Sequence, residues 1–230
     1  MKTLFFDAGP IISLTTNNLL WVLRDLKLSF KGNFCFVPAV KQEVIDKPFT
    51  SKQFKFESLQ VQRLLREKVF TVISSQEIVS LAEELSDLAN NCFLSKGTYL
   101  QIVHSGEMQT VAAALLSDSS AVVIDERTTR VLMEDPGSLA GILEHKLQTK
   151  IETDANSINE FIRRTKDLKV LRSVEIIVFA YEKGLLDRFL PLSKDPSKDL
   201  LTAVLWGLKL HGCAISEREI EEIVKIEKKK

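Results

Sequence analysis

The sequence predicts an α/β protein: a parallel sheet within three α/β/α layers, followed by a helical C-terminal extension. Three observations carry that reading. Apolar runs of strand length, "LFF", "FCFV", "VFTVI" and "AVVI", recur through residues 1–125. Between them lie stretches with apolar residues at helical spacing, an alternation that suits strands buried on both faces. From Asp167 onward the pattern is helical only.

Taken in order, Leu4–Phe6 reads as the first strand. Pro10–Leu14 and Leu19–Leu28 read as helices, with Asn17 or Asn18 as a cap between them. Phe34–Val37 is a second strand, and Pro38 suits the first position of a helix, where its missing N–H costs nothing. Asp46–Ser58 is polar and breaks the periodicity, so a surface loop is expected there. Leu59–Glu67 reads as helix, Val69–Ile73 as the third strand and Gln76–Ala89 as helix. Ser105 is expected to cap a helix reaching Leu116. Ala121–Ile124 is the fourth strand. Glu126–Met133 and Leu139–Leu147 read as helices, "KIET" as a fifth strand and Ala155–Arg164 as helix. Ser173–Lys183 and Asp199–His211 are helical, and "SERE" (Ser216–Glu219) has the pattern of a capping box. The expected division is a core over residues 1–166 and a helical extension over 167–230. No internal repeat occurs, and the low-complexity content is the terminal "KKK".

Composition narrows the classes. The chain has 230 residues, with 31 Lys and Arg against 31 Asp and Glu; 45% are hydrophobic and 27% charged. That is the balance of a globular protein. Zero formal charge gives no global pull toward nucleic acid or a membrane surface and leaves room for a local patch. Cys35, Cys92 and Cys213 are odd in number and far apart. They argue against a thiolate zinc site, and for a reducing cytoplasm over a disulfide framework. No basic lead with a long apolar stretch opens the chain, so no signal peptide is expected. The longest apolar run, "IIVFAY", is too short to span a bilayer, so no membrane association is expected.

Two apolar runs end on a charge: Asp7 follows Phe6, and Asp125 follows Ile124. Ligands of an open parallel sheet bind beyond the carboxyl ends of its strands, so both acids are expected at that rim. Glu43 lies on the helix begun by Pro38. Glu107 lies in the first turn of the helix opened by Ser105, beside Gly106, which allows close approach of another segment. Glu126 follows Asp125 directly. Carboxylates gathered in one cleft repel and raise one another's pKa, which a cation relieves. All-oxygen ligands suit Mg²⁺ or Mn²⁺, ions that assist attack on phosphate. The candidate catalytic and metal-binding residues are therefore Asp7, Glu43, Glu107 and Asp125, with Glu126 as a further metal-site acid. Each has a plainer alternative. Asp7 suits a turn before Gly9-Pro10, Asp125 a helix cap, Glu107 the helix dipole, and Glu43 a solvated helix face. Their co-occurrence at the expected rim favours the cluster.

In this order, "LFFDAGPIISL", "VPAVKQEVI", "HSGEMQTVAAAL" and "VVIDERTTR" resemble the four acidic motifs of PIN-domain nucleases. The resemblance covers about residues 1–165, and "KIETDANSINEFI" is similar to the final strand and helix of that fold. It implies a PIN-like core and a metal-dependent endoribonuclease cutting single-stranded or structured RNA. Carried over by residue, Asp7 and Asp125 would bind the principal ion, with Glu107 completing the cage. Glu43 would bind or position a second ion or the attacking water. Ser13 matches a small polar position that often accompanies the first acid, and Glu126 a frequent extra acid. There are two departures: Glu107 stands where many members have Asp, and Asp46–Lys96 is longer than in compact toxin-type members. The tail receives no role from the resemblance. RNA is the implied partner; a homodimer suits the fold, and a restraining inhibitor of antitoxin type is left open, with no antitoxin-like segment in the chain.

Arg127 and Arg130 are candidate phosphate contacts or braces for the carboxylates. Arg163, Arg164, Lys166, Lys169 and Arg172 form a candidate RNA-backbone contact, against the commoner solvated charged face. Few aromatics lie among them, so base stacking is not evident there. His104 lies near the Glu107 turn, whereas His145 and His211 lack a partner at ligand spacing. The competing class is a catalytically weak or inactive PIN-fold module binding RNA or a protein. A phosphotransferase using Asp7 ranks lower, because the second Asp such enzymes carry two positions on is here Gly9. No Gly-x-Ser-x-Gly or Gly-x-Gly-x-x-Gly is present, which disfavours a serine hydrolase and a dinucleotide-binding fold.

Overall fold

The computed structural model describes residues 2–119 and 121–227; the terminal "KKK" lies outside the described residues. Strand β1 (Thr3–Phe6) is central in a five-stranded sheet with β2 (Asn33–Phe36), β3 (Phe70–Val72), β6 (Ala121–Val123) and β8 (Lys169–Leu171), in the order β3-β2-β1-β6-β8. All pairings are parallel, with Phe5 opposite Cys35 on one side and Val122 on the other. The inner parts of β1, β2 and β6 are apolar because both faces are covered there: Phe5, Phe6, Phe36 and Val122 are buried. The Phe6 and Phe70 rings meet edge-on at 5.2 Å, an arrangement that suits the charge distribution of aromatic rings.

Helices α1 (Ala8–Thr16), α2 (Val22–Phe30) and α3 (Pro38–Lys41) follow the first strands, and Pro38 takes the expected opening position. The expected loop at Asp46–Ser58 is instead largely helical. A π-helical turn, Gln42–Asp46, carries α3 into α4 (Lys47–Thr50), and α5 (Lys55–Arg66) begins soon after. A π-turn inserts an extra residue and shifts the phase of the apolar pattern, which is why periodicity failed across this stretch. Helices α6 (Gln76–Asn90), α7 (Ser105–Leu116), α8 (Arg127–Glu134), α9 (Pro136–Leu147) and α10 (Ala155–Thr165) match expectation to within a few residues.

Two corrections concern strands. "KIET" supplies β7 (Ile151–Thr153), but not to the main sheet. It pairs antiparallel with β4 (Phe93–Ser95), which also pairs with β5 (Thr98–Tyr99), in a separate small sheet. The fifth strand of the main sheet is β8, inside the segment expected to be all helix. β8 is a three-residue edge strand carrying an exposed Lys169; edge strands tolerate such charge and so lose the apolar signature. The sheet thus continues past residue 166.

After β8 come α11 (Ser173–Glu182), α12 (Pro196–Leu210) and α13 (Glu217–Glu227). The capping box before α13 forms as expected: the Ser216 N–H donates to Glu219 at 2.8 Å, and the Glu219 N–H to the Ser216 hydroxyl at 3.1 Å. α7 packs on β1 and β6, α5 on β3 and α11 on β8, a parallel sheet with helical cover compatible with α/β/α layering. No helix among the described residues is long and apolar enough to cross a membrane.

Candidate functional site at the carboxyl rim of the sheet

The pairing of β1 and β6 fixes the two aspartates. The Asp7 N–H donates to the Val123 carbonyl at 2.9 Å, one residue beyond the end of β1. A Cβ built on Gly9 would lie 3.4 Å from Cβ of Asp125 and 3.8 Å from Oδ2 of Asp7. The two acids therefore both lie against Gly9 in the first turn of α1.

Asp7 is 7% exposed. Burial raises its carboxyl to about 7, and the Glu107 charge adds to the rise. The N–H groups of Ala8 and Gly9 oppose it, and Glu43 raises it further. Asp7 thus feels the negative charges of both Glu107 and Glu43.

Glu107 is also 7% exposed. It accepts from the Thr129 hydroxyl at 2.6 Å and from the His104 N–H at 3.3 Å. Burial raises its pKa, those hydrogen bonds oppose the shift, and the Glu126 charge adds to it. The cap of α7 is His104 rather than Ser105. Glu107 stands at the third helical position and reaches back to the His104 N–H, as a capping glutamate does. Gly106 faces Ala39 of α3 at ordinary contact distance.

Glu43 is exposed on the π-turn. Glu126 caps α8, accepting from the Thr129 N–H at 2.7 Å. Thr129 therefore ties two acids together: its hydroxyl serves Glu107 and its N–H serves Glu126.

Asp125 differs from the others. It is 2% exposed, and both its oxygens are engaged. Oδ2 accepts from the hydroxyls of Ser13 at 2.8 Å and Ser173 at 2.7 Å. Oδ1 accepts from the Ser173 N–H at 2.7 Å and the Cys213 thiol at 3.4 Å. Ser13, matched by resemblance to a position beside the first acid, serves the fourth acid here. Ser173, Cys213 and Thr129 were not singled out in the sequence. Ser173 follows the unrecognised edge strand β8, so nothing in the pattern placed it near the rim.

The donor set is all oxygen, the type that suits Mg²⁺ or Mn²⁺. Two buried carboxylates of raised pKa fit such an ion, because a divalent charge would offset their repulsion. Among the described residues no group of three or more His, Cys, Asp or Glu side chains is gathered closely enough to hold a metal. The physical reason lies with Asp125, whose oxygens are turned to Ser13, Ser173 and Cys213, and with Glu43, which stands out in solvent.

The basic candidates are mostly committed elsewhere. Arg163 and Arg164 pair with Glu160, and Arg164 also with Glu84. Arg172 is buried and donates to Glu175, Glu219 and the Ala214 carbonyl, so it is a strut rather than an exposed phosphate contact. Lys166, Lys169 and Arg127 are exposed. Arg130 pairs with Glu134, and its buried Nε has no partner. Compared with known proteins, the chain matches no protein-family model, no curated protein and no solved structure.

Proposed function

We propose that the chain is a PIN-like, Mg²⁺- or Mn²⁺-dependent endoribonuclease that hydrolyses RNA phosphodiester bonds. One observation carries this reading: Asp7 and Glu107 are buried together at the carboxyl rim, Asp7 raised to about 7 by burial and then by Glu107. Among the described residues neither forms an ion pair with Lys or Arg. Glu107 also serves the cap of α7, but Asp7 is buried within reach of its charge, and a cation would offset the repulsion between the two. The ordered acidic motifs of residues 1–125 support it, and the buried free thiols suit the cytoplasm.

Asp7 and Glu107 would hold the ion, with Glu43 joining from the π-turn. Bound there, the ion supplies charge for the phosphate oxygens and makes an attacking water more acidic. Thr129 fixes the orientation of Glu107 through its 2.6 Å hydrogen bond. Asp125, held by serines, sets the floor beneath Gly9 and the entry angle of α1. Asp7 must shed its proton before it binds a cation, so Mn²⁺ affinity and cleavage are expected to rise with pH.

The test is incubation of purified protein with mixed RNAs in Mn²⁺ and in chelator, beside Asp7→Asn and Glu107→Gln. Metal-dependent cleavage lost in both folded variants supports the assignment. Full activity in either variant removes that residue from the mechanism. A second reading, a catalytically inactive PIN-fold module binding RNA or a protein, is favoured by the saturated hydrogen bonding of Asp125. Calorimetry with Mn²⁺ separates the two, since no binding at millimolar metal selects the module.

A further inference from the structure

The basic stretch from Arg163 to Arg172 commits its arginines to acids. A second basic stretch does not. Residues 47–66 hold five Lys and Arg against one acid, Glu57, in a chain of zero formal charge. Among the described residues Arg63 pairs with Glu67, while Lys47, Lys52, Lys55 and Arg66 pair with no acid. Aromatic rings lie between these cations, at Phe49, Phe54 and Phe56. All three are exposed, Phe56 most of all at 69%.

The fold gathers this stretch on one surface. α4 and α5 pack together, and the Lys55 ammonium sits 4.9 Å from the centre of the Phe49 ring, a cation–π contact that joins the two helices. Lys52 stands in the bend that leads into α5. α5 buries Ser58, Val61 and Leu64. Its outer face carries Lys55, Phe56, Leu59, Arg63 and Arg66, all exposed, which follow one another at helical spacing over about 16 Å. Lys55 covers Phe49, so Phe56 offers the freest ring. α1 begins directly after Asp7 and packs on α5, so this face stands one helix away from the acidic rim.

We propose that this face binds single-stranded RNA, with Phe56 stacking on a base and Lys52, Lys55 and Arg66 meeting the phosphates beside it. The choice of RNA rests on the nuclease reading; the binding chemistry does not. Aromatic rings set among unpaired cations suit a single strand, because the cations track its backbone and a ring stacks on any base. A duplex keeps its bases stacked on one another and out of reach of such a ring. A membrane surface fits less well. A helix lying in that interface separates its apolar face from its charged one. Here Lys52 and Lys55 alternate with Phe54 and Phe56, and Arg63 and Arg66 share the outer face with Phe56 and Leu59.

The test uses the full chain in EDTA, so that binding is read without metal or cleavage. A short labelled oligouridylate is titrated at several salt concentrations and followed by fluorescence anisotropy, beside the same strand annealed to oligoadenylate. The single strand is expected to bind more tightly than the duplex. Phe56→Ala and Phe56→Leu should each weaken it by at least about fivefold, the lower end for one base stacked on a ring, and Phe56→Trp should keep it. Lys52→Gln with Lys55→Gln should flatten the salt dependence by about 0.7 for each lysine that meets a phosphate. Arg163→Gln with Lys166→Gln should change neither quantity. All these side chains are exposed, so the variants are expected to keep the fold, which urea melts check. Binding untouched by Phe56→Leu overturns the proposal, as does a duplex held as tightly as the single strand or binding lost on substitution at 163 and 166. No binding at low salt overturns it too; if vesicles containing phosphatidylserine then retain the protein and Phe56→Ala releases it, the face belongs to a membrane surface. Binding as proposed without metal-dependent cleavage sinks the nuclease reading and leaves the surface standing. Cleavage whose KM is unmoved by Phe56→Leu does the reverse.

Discussion

Ser173 grips Asp125 with two donors at once, its N–H on Oδ1 and its hydroxyl on Oδ2, each at 2.7 Å. Ser173 opens α11 directly after β8, and Asp125 follows β6 by one residue. This bridge therefore ties the edge strand to the rim, and Ser13 joins α1 to the same carboxylate.

Asp125→Asn should destabilise the fold by roughly 2–4 kcal/mol. An amide offers one acceptor oxygen where the carboxylate serves several donors, and buried donors left unpaired cost about 1–3 kcal/mol each. Ser173→Ala keeps the backbone donor and should cost less, about 1–2 kcal/mol. Urea melts give both values. Mn²⁺ affinity measured on folded Ser173→Ala should be close to that of the parent protein; a large loss would place Asp125 among the ligands after all.

Arg172 fastens the C-terminal segment to this same region. Its guanidinium donates to the Ala214 carbonyl and to Glu219, both at 3.0 Å, and to Glu175 at 2.7 Å. Arg172→Ala should cost about 2–3 kcal/mol, the range for hydrogen bonds to charged groups. The loss should be local first: amide exchange across residues 217–227 should speed up more than exchange in β1. Arg172→Lys should recover only part, because one ammonium cannot match the planar fork. Uniform exchange changes would contradict a local clamp.

The readable parts of the fold were those where burial is complete. Past their first residues β1, β2 and β6 are buried on both faces, so they read as apolar runs, and Asp7 and Asp125 stand out as charges just beyond the ends of two of them. β8 was hidden because an edge strand is only half covered. The helical turn at Lys47–Thr50 was hidden because it is polar and follows a π-turn that shifts the phase of the pattern. Among site residues, carboxylates were visible and their hydroxyl partners were not. A Thr or Ser in the first turn of a helix looks like any cap, and nothing local shows that Thr129 reaches Glu107 or that Ser173 reaches Asp125 across 48 positions.

Gly207 shows how tightly the C-terminal helices join the core. A Cβ there would lie 2.5 Å from Oδ1 of Asn17, whose amide donates to the Ser13 carbonyl at 2.7 Å. Gly to Ala inside a helix ordinarily gains about 1 kcal/mol. Here the Asn17 amide must turn away and give up its bond to the Ser13 carbonyl, which offsets that gain, so Gly207→Ala alone is expected to leave the melting temperature little changed. Removing the obstacle in Asn17→Ala/Gly207→Ala should give a variant more stable than Asn17→Ala alone. The coupling between the two changes, read from a double-mutant cycle, is the measure of the contact.

Asp7 makes a signed prediction about pH. Its carboxyl is raised from 3.8 to about 7, so between those values the unfolded chain ionises while the folded chain keeps its proton. The unfolded state is favoured by that difference, and stability falls as pH rises from about 4 to about 7, then levels. A shift of about 3 units corresponds to roughly 4 kcal/mol at most. Asp7→Asn has no such proton to lose. It should match the parent protein near pH 4, exceed it by up to roughly 4 kcal/mol at pH 8, and show a flatter profile in between. Mn²⁺ at pH 8 should then stabilise the parent protein and leave Asp7→Asn largely unchanged, because binding to the folded state alone adds to its stability. Parallel profiles for the two proteins, with equal responses to Mn²⁺, would show that Asp7 is neither raised nor a cation ligand.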